Sequence, residues 1–131
     1  MERNGLPAVR EQADLHFRMG SRSAAARIPR TVSPAFAEAL AAVRYAVPHV
    51  SWEKGILLYT EAQYTAWVAA GLALPEEARR CLRTMFMLAQ MVQVSDAGNL
   101  RISPPLAVLA GIRTGGQLSW LEDGSILLTG N

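Results

Sequence analysis

Few residues in this chain could carry catalysis or bind a metal ion. The two histidines, His16 and His49, lie far apart, and neither belongs to a set of cysteines or carboxylates at the spacing of a metal site. Cys81 is the only cysteine. The neighbouring Arg80 would favour its thiolate, but no histidine is nearby in the sequence, and a cysteine in a helix is usually a small core residue. We therefore predict no catalytic residue, no metal ligand, no cofactor and no enzymatic activity.

Arginine is the residue type whose distribution indicates a function. The whole chain has a formal net charge of only +2, yet the stretch between positions 17 and 45 contains five arginines and a single acidic residue. A guanidinium contacts a phosphate or a guanine edge through two parallel hydrogen bonds, so this stretch favours DNA binding. Two alternatives to DNA binding remain open. A GC-rich genome accounts for the arginines without a function, or they form a solvated basic edge that blocks unwanted strand pairing. The five residues are Arg18, Arg22, Arg27, Arg30 and Arg44.

Composition indicates one compact soluble domain. Of the 131 residues, 50% are hydrophobic and 18% are charged, which is typical of a globular protein with a modest core. No apolar run reaches the roughly 18 residues that a membrane-spanning helix needs. The N-terminus continues into charged residues instead of the apolar core of a secretion signal. The single cysteine excludes an intrachain disulfide, so we expect a protein of the cytoplasm that makes no contact with a membrane.

Four helices are predicted from their capping residues and apolar spacing. Ser33 and Ser103 each precede a proline, which is the arrangement of an N-cap followed by the first helical position. Thr60 and Gln63 have the spacing of a capping box. The longest predicted helix, over 75–89, opens with a proline and two acidic residues.

Hairpins are predicted before, between and after these helices. Gly55, Asp96 and the pair Asp123-Gly124 mark turns between strand-like runs. Residues 1–16 show no clean period and are interpreted as a loose arm. The coarse order of elements is hairpin, helix, hairpin, helix, helix, hairpin, helix, hairpin. The paired runs that flank the three named turns are 46–52 with 56–59, 91–95 with 100–102, and 117–121 with 125–129.

The order of elements repeats along the chain. The segments 32–37 and 102–107 align without a gap around Ser-Pro, 70 residues apart, and each continues into a small-residue helix and a hairpin. Each half, 17–73 and 74–131, is too short to bury enough surface alone, so we expect the two to interleave around one core as a pseudo-dimer. Ser-Pro helix starts are common, and a chance match is the alternative to a duplication.

Two stretches have a pattern known from one protein family. In 82–112, a helix ending in Phe-Met-Leu-Ala leads into a Val-x-Val strand, a turn with Asp96 and a Pro-Pro helix that ends in Ala-Gly. In 55–64, a strand runs into a long helix. From position 17 to about 129 the chain resembles the MraZ branch of the AbrB-like and SpoVT-like transcription regulators. The resemblance implies an α+β fold of two interleaved AbrB-like halves, of the swapped-hairpin or double-psi-like type, with packed helices.

The functional motif of that family is incomplete in this chain. Each half of the family carries Asp-x-x-x-Arg ahead of a helix-opening proline; the arginine contacts DNA, and the aspartate helps to order the turn. Aligning the two Ser-Pro prolines places Ala26 and Arg30 on the first motif, and Asp96 and Leu100 on the second. The resemblance therefore implies Asp96 as a turn residue and Arg30 as a contact, with Arg101, one position late, as a weaker candidate. An arginine restored at position 100 should tighten binding, provided that the turn presents it outward.

The resemblance implies a cytoplasmic, nucleoid-associated transcription regulator like that of the division and cell wall gene cluster. It would bind repeated half-sites on double-stranded DNA as a homo-oligomer, in the form of a ring. The incomplete second motif favours an alternative, a degenerate family member that acts as an oligomeric scaffold or protein-interaction module without binding DNA. The residues assigned as DNA contacts are Arg22, Arg27, Arg30 and Arg101.

Overall fold

A computed structural model of the chain describes residues 8–48, 55–77, 79 and 90–130. Within them the protein has an α+β fold, as predicted, with three helices and one antiparallel sheet of eight strands that curls into a half-barrel. The strands are β1 (Val9–Met19), β2 (Ala24–Arg27), β3 (Tyr45–Pro48), β4 (Ile56–Tyr59), β5 (Gln90–Met91), β6 (Asn99–Ile102), β7 (Gly115–Leu121) and β8 (Ile126–Gly130). The helices are α1 (Pro34–Ala41), α2 (Glu61–Leu72) and α3 (Pro104–Ala110).

The longest strand, β1, lies inside the sheet. In the order β5-β3-β4-β8-β7-β1-β2-β6, it pairs with β7 and, at its end, with β2. Ala13, Leu15 and Phe17 alternate into the core, and the side chains between them are exposed. The prediction of a loose arm over 1–16 is therefore wrong for residues 9–16, and residues 1–7 lie outside the described part. The alternation begins with a small alanine among polar and charged residues, so it gives a weak strand signal.

Three of the four predicted helix starts are confirmed. The hydroxyls of Ser33 and Ser103 each accept a hydrogen bond from the backbone N–H three residues further on, at 3.1 and 3.4 Å. Thr60 and Gln63 form a capping box at the start of α2. Gly111 ends α3 in the left-handed conformation, with φ of 75°, a position that suits glycine because it has no Cβ.

Most of the predicted hairpins are present. The pairs β1–β2, β3–β4 and β7–β8 are antiparallel neighbours, although residues 49–54 between β3 and β4 are outside the described part. The hairpin expected over 91–102 is reduced to one bridge, Val94 to Leu100, because β5 pairs with β3 and β6 pairs with β2. The helix predicted over 75–89 falls largely outside the described residues.

The core lies between one face of the sheet and the helices α1 and α3. Phe36 of α1 stacks on Trp120 of β7, with ring centroids 5.3 Å apart, and α3 packs across β3, β4 and β8. On the other face of β4, Tyr59 contacts Trp67 of α2. The largest fully buried side chains include Phe17, Phe36, Leu40, Ile56, Leu58, Leu100, Leu106, Leu118 and Leu128.

Three successive elements recur at one spacing. The elements α1, β3 and β4 begin at Pro34, Tyr45 and Ile56, and α3, β7 and β8 each begin 70 residues later. The strands β4 and β8 pair with each other near the middle of the sheet, so the two corresponding hairpins are adjacent. The offset predicted from the two Ser-Pro segments therefore extends to three elements of the structure.

Candidate nucleic-acid interface

The predicted DNA contacts lie around one end of the sheet, where β1 pairs with β2 and β2 pairs with β6. Phe17, Ala26 and Leu100 are register partners in these three strands, and all three are buried in the core. Because side chains alternate along a strand, the residues next to them face away from the core. The outward surface of the paired segments is made of Arg18, Ala25, Arg27, Asn99 and Arg101 and is here called the arginine face; His16, the other neighbour of Phe17, has its register partner in β7 instead.

The first row of the arginine face has a cation on either side of a small residue. Arg18 is the register partner of Ala25, and Ala25 is the partner of Arg101. Neighbouring strands are about 4.8 Å apart, so the Cα atoms of the two arginines are about 10 Å apart. Both arginines are exposed and Ala25 is half-buried. The row thus presents two guanidiniums, and the small side chain of Ala25 leaves the space between them open.

The second row lies two residues further along β2. Here Arg27 is the register partner of Asn99, and the row is about 7 Å from the first. Arg27 is exposed and Asn99 is half-buried. The backbone N–H of Asn99 donates to the Ser95 hydroxyl at 3.1 Å, but its carboxamide has no hydrogen-bond partner among the described residues. This row presents a guanidinium and a carboxamide side by side.

The charge of the arginine face is unbalanced. Neither row contains an acidic residue, and none of the three arginines forms an ion pair within the described part of the chain. Asp14, further back on the outward side of β1, and Asp96, in the turn before β6, are both exposed. Three guanidiniums without a carboxylate partner suit a polyanionic ligand.

The four arginines predicted as DNA contacts are all exposed, but only two of them share the arginine face. Arg27 and Arg101 do so. Arg22 lies in the turn 20–23 between β1 and β2, and Arg30 lies in the turn that follows β2. Arg18 was in the predicted basic stretch but not among the assigned contacts. Its alternation with the buried Phe17 was the signal that could have placed it.

The family motif, aligned on the two prolines, does not occupy equivalent places in the structure. Ala26 lies within β2 and faces the core, whereas the turn of that hairpin is formed by residues 20–23. Residues 28–33 connect β2 to α1, whereas β6 leads directly into the Ser103 cap. Leu100 is fully buried opposite Ala26, so position 100 does not face outward and the condition for an arginine there to tighten binding is not met.

Asp96 lies in a turn, as predicted, but Ser95 supplies the hydrogen bonds that order it. The backbone N–H of Ser95 donates to the carbonyl of Asn99 at 2.9 Å, and Gly98 N–H donates to the carbonyl of Ser95 at 2.8 Å. The Ser95 hydroxyl also accepts from Asn99. Gly98 has φ of 82°, in the left-handed region that glycine adopts readily because it has no Cβ. The sequence resemblance assigned to Asp96 a role that its neighbour performs.

Two other arginines are engaged in packing and capping. A bulge in β1 places the guanidinium of Arg10 over the ring of Trp120, 4.0 Å from its centroid. Arg44 donates two hydrogen bonds of 2.8 Å, to the carbonyls of Ala41 and Val43 at the end of α1. These two cations therefore contribute to the fold at positions away from the arginine face.

The described residues offer little material for other kinds of site. They contain no group of three or more histidine, cysteine or acidic side chains that could hold a metal ion, and His16 is an exposed residue of β1. His49 and Cys81 lie outside the described residues. None of the helices in the described ranges is long and apolar enough to cross a membrane. No protein-family model and no curated protein matches the chain.

Proposed function

We propose that this protein is a transcription regulator that binds double-stranded DNA through the arginine face. The observation that carries the proposal is the convergence of Arg18, Arg27 and Arg101 on one outward surface, where none of them forms an ion pair with a described carboxylate. The strands β2 and β6 form one edge of the sheet, and the major groove of DNA is about 12 Å wide, enough to accept two strands. Arg18, on the flanking strand β1, would then reach the phosphate backbone beside the groove.

The proposal includes the architecture of an AbrB-like regulator of the MraZ type. Two interleaved halves are supported by the constant 70-residue offset of three elements. They are also supported by the crossed packing of the helices: α1 of the first half contacts β7, and α3 of the second half contacts β3 and β4. Assembly of several subunits would let repeated half-sites on one DNA be bound together.

The test is the salt dependence of DNA affinity. Each phosphate that a protein neutralises releases condensed counterions, so log affinity falls as log salt concentration rises. The magnitude of this negative slope should decrease by about 0.9 for every phosphate contact that a mutation removes. We expect Arg18→Ala and Arg101→Ala each to weaken binding of a fluorescent duplex and to reduce this slope. Arg79→Ala is the matched control, because Arg79 is also exposed but lies away from the arginine face. It follows α2, which packs on β4, and two strands, β8 and β7, separate β4 from β1.

A second candidate function is supported by Leu100. A buried leucine stands where the resemblance assigns a DNA-contacting arginine, which favours a degenerate family member that acts as an oligomeric scaffold. A scaffold would bind DNA weakly and without a steep salt slope. If the wild-type chain shows no salt-dependent binding, and the arginine variants behave like Arg79→Ala, the scaffold replaces the regulator.

A further inference from the structure

Asn99 is a polar side chain whose position on the arginine face has no structural explanation within the fold. It is half-buried, yet its carboxamide makes no hydrogen bond with any described residue. In the turn before it, the Ser95 hydroxyl accepts a hydrogen bond, and the side chains of Asp96 and Ala97 are exposed. Its alternation with the buried Leu100 directs it outward, to the same side as Arg101. A carboxamide held at the surface of a strand is available to a ligand.

The register places Asn99 directly beside Arg27. Directly opposite residues of antiparallel strands have Cβ atoms about 4.5 to 5.5 Å apart, so the two head groups extend side by side. Successive base pairs are about 3.4 Å apart along the DNA axis, a spacing that two such side chains can match with neighbouring base pairs. The pair therefore has the geometry to contact two adjacent base edges from one position.

The chemistry of the two head groups is that of base recognition. Asparagine forms two hydrogen bonds with the N6 and N7 edge of adenine, and arginine forms two with the O6 and N7 edge of guanine. The first row differs, because Ala25 at its centre has no hydrogen-bonding side chain, and its two arginines lie on β1 and β6, the strands that flank β2. We propose that Asn99 and Arg27 read an adenine and an adjacent guanine in the major groove, while Arg18 and Arg101 hold the phosphates on either side.

This inference rests on the DNA-binding function proposed above, and the experiment separates the two. Wild-type protein first selects duplexes from a library of random sequence. The affinity for the selected duplex is then divided by the affinity for a shuffled duplex. Asn99→Ala should lower this ratio roughly 5- to 150-fold, the worth of one bidentate base contact, and should leave the affinity for shuffled DNA unchanged. Arg101→Ala should weaken both duplexes alike and leave the ratio as it was.

A second variant tests the chemistry directly. Asn99→Asp keeps the shape of the side chain but accepts hydrogen bonds only, so repeated selection should replace adenine by cytosine, whose exocyclic amine is a donor. An unchanged unfolding midpoint shows that both variants are folded. A wild-type ratio of one, or an Asn99→Ala ratio equal to that of the wild type, overturns base reading while DNA binding stands. Absence of any salt-dependent binding by the wild type overturns both proposals.

Discussion

The carboxylate of Glu11 accepts two hydrogen bonds from Ser33, one from its backbone N–H at 2.8 Å and one from its hydroxyl at 2.6 Å. Ser33 in turn caps α1 by accepting from the N–H of Phe36. Glu11 belongs to β1 and lies near the positive end of the α1 dipole, so one anion connects the sheet to the start of the helix. The strand that carries Arg18 is thereby fixed to the core.

Acid should weaken this connection. The hydrogen bonds from the Ser33 side chain and then from its backbone lower the pKa of Glu11 below its ordinary value of 4.5. A carboxylate with a lower pKa in the folded state stabilises the fold fully above its unfolded pKa, and this stability is lost as the pH falls through the folded pKa. Glu11→Gln should therefore destabilise the protein at pH 7, and its urea midpoint should approach the wild-type midpoint as the pH is lowered below 4.5 and through the folded-state pKa.

The control for this prediction is Glu38→Gln. Glu38 is an exposed carboxylate of α1, the helix that Ser33 caps, and its side chain forms no hydrogen bond with that cap. Urea midpoints of both variants and of the wild type, measured across the acid range, give the comparison. A loss of stability by Glu11→Gln that stays constant from pH 7 through the whole acid range would show that the charge of Glu11 has no part in the cap.

Local signals in the sequence predicted the helix starts, whereas pairing between distant strands could not be predicted. A serine before a proline, or a Thr60-x-x-Gln63 box, fixes a helix start through bonds within four residues. The strand β2, in contrast, has the sequence Ala-Ala-Ala-Arg, which has little β propensity of its own. It becomes a strand because β1 and β6 hold it on both sides, and this register is set by nonlocal contacts.

The arginine face was likewise only partly predictable from the sequence, because it depends on both local composition and nonlocal strand pairing. The basic stretch was evident from composition, but Arg101 joins it only because β6 pairs with β2 across more than seventy positions of the chain. The family alignment assigned Arg30 and position 100 on the assumption that both halves have equal loops, and residues 28–33 break that equality. Which arginines share a face is therefore a property of the register.

Leu100 should tolerate neither removal nor charge. It is fully buried and faces Ala26 across the β2–β6 pair, so Leu100→Ala should lower the free energy of unfolding by about 2 to 5 kcal/mol. Leu100→Arg should cost more, because it buries an unpaired cation, and should not improve DNA binding. Arg101→Ala is the neighbouring control and should stay within about 0.5 kcal/mol of the wild type. A stable Leu100→Arg protein that binds DNA more tightly would contradict this register.

Apolar side chains on the surface lead us to expect assembly. Met91, Val108 and Leu72 are 78%, 75% and 62% exposed in the single chain. Among the described residues, β5 and the 101–102 end of β6 also have no further strand beyond them at the edges of the sheet, where another chain could pair. Light scattering at micromolar concentration should show a species larger than the 14.2 kDa chain, and Met91→Glu or Val108→Glu should reduce its mass. A species of 14.2 kDa alone would rule out the oligomer.

Ala25 offers a test of the arginine face that removes none of its arginines. Its register partners are Arg18 and Arg101, so Ala25→Glu places a carboxylate between two guanidiniums that would otherwise bind phosphate. DNA affinity should fall at least about tenfold, or about 1.4 kcal/mol, because the new anion both occupies the arginines and repels the backbone. Ala25→Gln adds the same bulk without charge and should lose much less. Ala37→Glu, on the exposed side of α1, adds the same charge elsewhere and should change little. Equal affinities for Ala25→Glu and Ala37→Glu, measured by fluorescence anisotropy in the same buffer, would show that DNA does not approach this face.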